Sequence, residues 1–211
     1  MRVLQTAGGT TLNGDEAAGA AAVTERSGGA RSGFTRAALV TLGVTAVLAV
    51  ALDQFVKHLS TEHLHEGQPV RILGGLVYLS LLRNSGAAFS FGSGYTWVFP
   101  LITVAVVGWI GWLARGLRSV PWAVALGLVL GGALGNLTDR LFRAPGPFRG
   151  HVVDMISAFA PYGERFAVFN IADSCLTVGV VLAVLLELIG YQRDGNRAKR
   201  HPAGTPKEDQ P

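Results

Sequence analysis

Four apolar stretches, each close to the length that carries a helix across a bilayer, constrain this chain more than any other feature of its sequence. A membrane-crossing helix needs about 20 mostly apolar residues. The first stretch runs from about Ala37 to Lys57 and stays apolar until Asp53; the second, from about Tyr95 to Ala114, holds no charged residue. The third runs from about Val120 to Leu137 and the fourth from about Val168 to Gly190. Composition agrees: 49% of the 211 residues are hydrophobic and 15% are charged, against about 25% charged in a typical soluble domain. The expected fold is an all-α membrane protein, a bundle of four transmembrane helices with both termini on one side.

Basic residues beside short loops favour the cytoplasmic side. Arg26, Arg31 and Arg36 precede the first stretch, Arg115 and Arg118 fill the tight turn between the second and third, and Arg193, Arg197, Lys199 and Arg200 follow the fourth. The other side holds Lys57, Arg71, Arg83, Arg140, Arg143, Arg149 and Arg165. This places both termini in the cytoplasm of a multi-pass membrane protein. The sequence pI of about 9.6 then reflects attraction to anionic lipid headgroups and not nucleic-acid binding, because the basic residues flank spans instead of forming a face. Cys175 is the single cysteine, which excludes an internal disulfide.

Residues 1–33 are rich in Ala, Gly, Thr and Ser and lack an apolar run, so they read as a disordered cytoplasmic tail, as do residues 193–211. The four-helix domain is expected over 34–192. Between the first two spans, Val70 to Leu82 is rich in Val, Ile, Leu and Tyr and is bounded by Pro69 and Asn84-Ser85-Gly86. It reads as two short strands turning at Gly74-Gly75, a small extracytoplasmic β-sheet between helices 1 and 2. The second outer loop, Thr138 to Ala167, contains Pro145, Gly146, Pro147 and Pro161 and reads as extended chain with a short interfacial segment. In the third span Ala123, Gly127, Gly131 and Gly135 recur every four residues, a small-residue face on which another helix packs closely.

Ionisable groups inside spans are costly and mark function by default. Here they gather toward the outer ends. Asp53 and Lys57 stand one helical turn apart, which reads as an i,i+4 ion pair at an interface or as part of a site. Asn136, Asp139 and Arg140 end the third span, where Asp139 and Arg140 read as a helix end at the headgroups or a buried pair tying loops together. Asn170 and Asp173 lie on one face of the fourth span, and Asp154 lies in the apolar segment His151–Ile156 just before it. Asn84 precedes Gly86 and reads as a turn former or a substrate-positioning group.

Two carboxylates in a poorly solvated site cannot both ionise comfortably and share one proton. The charged one takes a proton from water while the protonated one donates to a peptide carbonyl, the aspartic-protease arrangement that needs no metal or other cofactor. Asp154 and Asp173, nineteen residues apart on two elements able to face each other, are the candidates for such a pair; the other reading of each is a hydrogen-bonded buried carboxylate. No His-Glu-x-x-His, Gly-x-Ser-x-Gly or phosphate-cradling loop occurs, and Gly92-Ser93-Gly94 is a simple turn signal. His63 and His65 read as solvated loop residues. The alternative is a small proton-coupled transporter with the same carboxylates as a relay, although a relay would set acids at several depths and no inverted repeat is visible.

Five blocks, in order, are similar to those of lipoprotein signal peptidases, the bacterial type II signal peptidases: Asp53-Gln54-x-x-Lys57, Asn84-Ser85-Gly86-Ala87-Ala88-Phe89-Ser90, Gly131 through Arg140, Val152-Val153-Asp154, and Phe169-Asn170-Ile171-Ala172-Asp173-Ser174. The resemblance covers about residues 37–190. It implies that Asp154 and Asp173 are the catalytic pair, that Asn84, Asn136, Arg140 and Asn170 contact substrate, and that Asp53, Lys57, Gly86 and Asp139 support the site. It also implies a substrate, a prolipoprotein whose cysteine bears diacylglycerol, cut on the amino side of that cysteine, and inhibition by the cyclic peptide globomycin. One departure is Met155, where such proteins often have Phe; both are bulky and apolar, so the expected effect is confined to packing.

Overall fold

The apolar stretches become helices with polar punctuation at their ends. A computed structural model describes residues 14–86 and 98–197, of which residues 14–34 as backbone alone. Helix α1 (Gly14–His63) contains the first apolar stretch, and its part long and apolar enough to cross a membrane is Thr35–His63. The polar beginning of α1 falls in the segment expected as a tail; residues 1–13 and 198–211 of the two tails lie outside the described residues. Helix α2 (Val98–Ala114) is apolar and 17 residues long; the expected start of that span at Tyr95, and the Gly92-Ser93-Gly94 turn, lie outside the described residues. Helix α3 (Val120–Phe142) starts at Ser119, whose Oγ accepts from the Trp122 amide, and α4 spans Ile171–Leu188.

Three helix boundaries correct the sequence reading. Helix α1 continues past Lys57 to His63, so His63 is an exposed helical residue and not a loop residue. Helix α3 continues past Leu137 to Phe142, so Asp139 and Arg140 are helical residues and not the start of a loop. Both are buried and find partners within the protein, so the helix has no need to end where its side chains turn polar. Helix α4 starts at Ile171 and not Val168, because Phe169 is extended and pairs with Ile156, and Asn170 caps the helix from outside it.

The sheet is three-stranded and antiparallel. Strands β1 (Val70–Ile72) and β2 (Val77–Asn84) form the expected hairpin, turning through Gly74 and Gly75 at φ of 68° and 98°. Positive φ favours glycine because it has no Cβ to clash. The sheet does not belong to the α1–α2 connection alone: strand β3 (Val152–Ala158), from the α3–α4 connection, adds to the other edge of β2 in the order β1-β2-β3. Leu82 pairs with Asp154 and Asn84 with Val152.

Helix α3 is the hub, packing on α1, α4 and α2. Its small-residue face lies on α1: a Cβ on Gly131 would stand 2.6 Å from the Ala49 Cβ and 2.8 Å from the Ala46 carbonyl oxygen. Gly132, one residue on, faces the Ala172 carbonyl of α4. Away from the sheet, Ala38, Leu42, Ile110, Leu117, Trp122 and Leu126 form an apolar core. There Arg118 and Ser119 donate their backbone N–H groups to the Arg193 carbonyl (2.9 and 3.0 Å), and the Trp122 indole donates to the Tyr191 carbonyl at 2.6 Å. A smaller cluster of Leu81, Val153 and Met155 sits under the sheet, so Met155 does occupy a packing position.

Polarity is inverted relative to a soluble protein. Asp53, Lys57, Asp139 and Asp154 are buried, whereas Val40, Val47, Leu48 and Phe55 of α1 and Val181, Val184 and Leu188 of α4 are exposed. Large contiguous apolar surface of this kind belongs in lipid.

Candidate active site

Asp154 and Asp173 reach one place by different routes. Pairing of β3 with β2 carries Asp154, 2% exposed, under Asn84. Asp173 stands in the first turn of α4, where Asn170 and Asp173 form a reciprocal cap: the Asp173 amide donates to Asn170 Oδ1 (2.9 Å) and the Asn170 amide donates to Asp173 Oδ2 (3.2 Å). Such a box satisfies two orphan amides of a helix start, and the positive end of the helix dipole faces the carboxylate. Both aspartates line a cavity of about 650 Å³, with Asn84, Asn136 and Arg140 beside them and apolar side chains of α2 and α4, including Ile102, Val106, Leu176 and Val178, as walls.

Three asparagines aim N–H groups at the two carboxylates, and each is held in that sense by a group that can only donate. Asn84 Oδ1 accepts from the Gly86 amide (2.9 Å), which turns its Nδ2 to Asp154 Oδ2 at 3.0 Å. Asn170 Oδ1 accepts from the Asp173 amide, so its Nδ2 donates to Asp154 Oδ1 at 2.6 Å and to Asn136 Oδ1 at 3.1 Å. Asn136 Oδ1 accepts from Lys57 Nζ (3.0 Å), leaving its Nδ2 to donate to Asp173 Oδ1 at 2.8 Å. Because an ammonium and a backbone N–H have no acceptor, these amide orientations follow from the chemistry.

The support groups form a fully buried cluster. Lys57 Nζ lies 2.8 Å from both Asp53 Oδ2 and Asp139 Oδ2. The Asp53–Lys57 pair is therefore no interfacial ion pair; it is the core of a triad that ties α1 to α3. Asp53 Oδ1 also accepts from the Ala172 amide (2.9 Å) at the start of α4. Asp139 accepts from the Val153 amide of β3 (3.2 Å) and is paired with Arg143 at 2.6 Å. Asp139 and Arg140 do not pair with each other. Arg140 instead donates to the carbonyls of Ser85 (3.0 Å), Gly86 (2.7 Å) and Gly150 (3.3 Å), with its guanidinium 5.0 Å from the centre of the Phe99 ring. Among the described residues no buried side-chain nitrogen or oxygen lacks a partner.

Burial pushes the Asp154 carboxyl up to about 7; the hydrogen bond from Asn84 opposes this and the nearby charge of Asp173 adds to it. A carboxyl in that range holds its proton near neutrality, as a general acid requires. Among the described residues no three His, Cys, Asp or Glu side chains converge as a metal site.

The structure brings together Asp154, Asp173, Asn84, Asn136, Arg140 and Asn170 with the support residues Asp53, Lys57, Gly86 and Asp139. It adds three to which the sequence reading gave no part in the site. Gln54 donates to Asp139 Oδ1 (3.3 Å) and to the Gly135 carbonyl (3.1 Å); its adjacency to Asp53 was the available signal. Arg143 follows Asp139 by four residues, a helical pairing hidden once the helix was ended at Leu137. Gly150 leaves no room for a Cβ against the Asp139 carbonyl, and nothing local marks it.

The family model for signal peptidase (SPase) II matches residues 45–189. The chain is similar to the lipoprotein signal peptidase of Mycobacterium avium, 51% identical over 156 residues, 73% of this chain and 83% of the relative. It is likewise similar to that of Leifsonia xyli, 47% identical over 167 residues, 79% of this chain and 76% of the relative. Among solved structures it is similar to a bacterial membrane enzyme determined by the in meso method at 2.3 Å resolution. That match has a TM-score of 0.64 at 29% identity and covers 79% of this chain and 96% of the other. Nothing in these comparisons supports a transporter. A fold that buries its charges beneath a small sheet and matches one family from the first apolar helix to the last belongs to the signal peptidase II family of membrane proteases.

Proposed function

We propose that the chain is an aspartic endopeptidase that cuts diacylglyceryl-modified prolipoproteins on the amino side of the lipidated cysteine, with Asp154 and Asp173 as the catalytic pair. The observation that carries this reading is a single cavity holding two carboxylates of unlike surroundings. Asp154 is buried and raised to about 7; Asp173 sits at a helix start, where negative charge is favoured.

In the reaction so read, Asp173 takes a proton from water as its oxygen bonds to the scissile carbonyl carbon, and Asp154 gives its proton to the carbonyl oxygen. The gem-diol then collapses: Asp173 passes its proton to the departing nitrogen, the C–N bond breaks, and a diol hydroxyl returns a proton to Asp154. Asn84, Asn136 and Asn170 hold the carboxylates, while Arg140 braces the 84–86 turn against α3.

In this reading all four helices cross the membrane over residues 34–192, both termini are cytoplasmic, and the sheet and site lie at the outer surface. The acyl chains of the substrate remain in lipid between α2 and α4, whose apolar side chains line the cavity. The peptide is clamped in extended form by strand addition to the sheet. Globomycin occupies the same cavity.

The test is purified protein in detergent with a diacylglyceryl-modified lipobox peptide. Cleavage immediately before the modified cysteine, blocked by globomycin, is the expected outcome. An intact peptide, or cleavage of an unmodified one at the same rate, overturns the substrate assignment.

A further inference from the structure

Lys57 is wholly buried, yet it contacts neither catalytic carboxylate directly. Its three N–H groups have three acceptors: Asp53 Oδ2 at 2.8 Å, Asp139 Oδ2 at 2.8 Å and Asn136 Oδ1 at 3.0 Å. The first two satisfy its charge. The third does something else, because an ammonium has no acceptor and so admits only the oxygen side of the Asn136 amide. With that oxygen taken, the amide nitrogen has one direction left, and it meets Asp173 Oδ1 at 2.8 Å. Turned over, Asn136 would set its N–H against the ammonium and its oxygen against a carboxylate, two repulsions in a site with little water. Asn84 and Asn170 are oriented by backbone amides, which belong to the fold; Asn136 is oriented by side chains, the Lys57 ammonium and, at 3.1 Å, Asn170 Nδ2.

We infer that Lys57 is a positioning residue for the cleavage reaction: by fixing the sense of the Asn136 amide it keeps an N–H donor on Asp173. The inference rests on the reading of Asp173 as the group that takes the proton from water. The charged and titratable groups facing this cluster are Asp53 of α1, Asp139, Arg140 and Arg143 of α3, Asp154 of β3, and Asp173 and Cys175 of α4.

Lys57→Gln removes the charged one of the two donors to Asn136 Oδ1, leaving Asn170 Nδ2 at 3.1 Å, and so loosens the hold on the sense of that amide. The charged form of Asp173 then loses a donor, the site takes up a proton more readily, and the acid limb of kcat/KM moves to higher pH by about one unit. kcat falls while KM holds. Because Lys57→Gln leaves Asp53 and Asp139 short of a counter-charge and threatens folding, the paired variant Asp53→Asn/Lys57→Gln removes one charge of each sign and leaves Asp139 with Arg143. It carries the same expected shift.

Asn136→Leu, which leaves the triad intact, moves the limb in the same direction, and adding it to the paired variant moves the limb no further. A merely structural lysine would lower the melting temperature and the active fraction while the pH profile of the remaining activity stayed in place. That result, or additive shifts, overturns the inference. Retained turnover in Asp173→Asn would instead remove the reading beneath it, so the two failures are distinguishable.

Discussion

Asp154 accepts N–H groups on both oxygens, from Asn170 and Asn84, and yet burial raises it to about 7. In the proposed reaction its protonated form is the active one, so kcat/KM should fall as pH rises through about 7, the apparent value belonging to the pair. Asn84→Ala removes a donor that favours the ionised form. The alkaline limb should therefore move up by about one pH unit, and a limb that stays in place or moves down in the pH profile contradicts this role. Asp154→Asn and Asp173→Asn should each abolish turnover nearly as fully as the double variant, since groups acting as a unit are non-additive. Near-normal turnover in either single variant removes the pair from the mechanism. That these two aspartates stand out was legible in the sequence because an acid beside an apolar span is costly. The asparagine orientations were not, since each depends on a donor from a distant element.

The α1–α3 contact is the element on which the site depends, because it joins Asp53 and Lys57 to Asn136 and Asp139. Gly131→Ala already sets a methyl group 2.8 Å from the Ala46 carbonyl oxygen, a backbone atom that cannot swing aside. Overpacking of this kind costs ~1–3 kcal/mol, and Gly131→Leu should cost more. Both variants should melt lower and turn over more slowly, Leu more than Ala, although no catalytic group is touched. Unchanged melting temperature and turnover in Gly131→Leu would mean that this face meets lipid. The small-residue spacing disclosed that face, and Gly74-Gly75 disclosed the hairpin, because both are local patterns. Strand β3 was read only as extended chain. Its partner β2 lies far away in sequence, and no local signal selects between a paired and an unpaired segment. The end of α3 was missed for a related reason: polar residues after an apolar run look like headgroup contacts until burial shows them facing inward.

At the scale of the whole molecule, the named site residues fall between Asp53 and Asp173, and the family match begins at residue 45. Removing residues 1–30 should therefore leave turnover of a purified lipidated peptide unchanged, measured on protein whose insertion has been verified. Loss of activity in such a truncation would assign the segment a part in the site. The molecule turns apolar side chains outward and closes its charges inward, which gives its cavity two unlike boundaries. One is a floor of mutually dependent polar groups; the other is a wall of Ile102, Val106 and Val178, none of which holds another residue of the floor. Selection acts differently on the two. Under pressure from a compound lodged in this cavity, escape should arise by exchange among apolar residues of the wall. In the proposed reaction a change to the floor should cost turnover along with binding, so a compound that draws its affinity from the floor should leave fewer routes to escape.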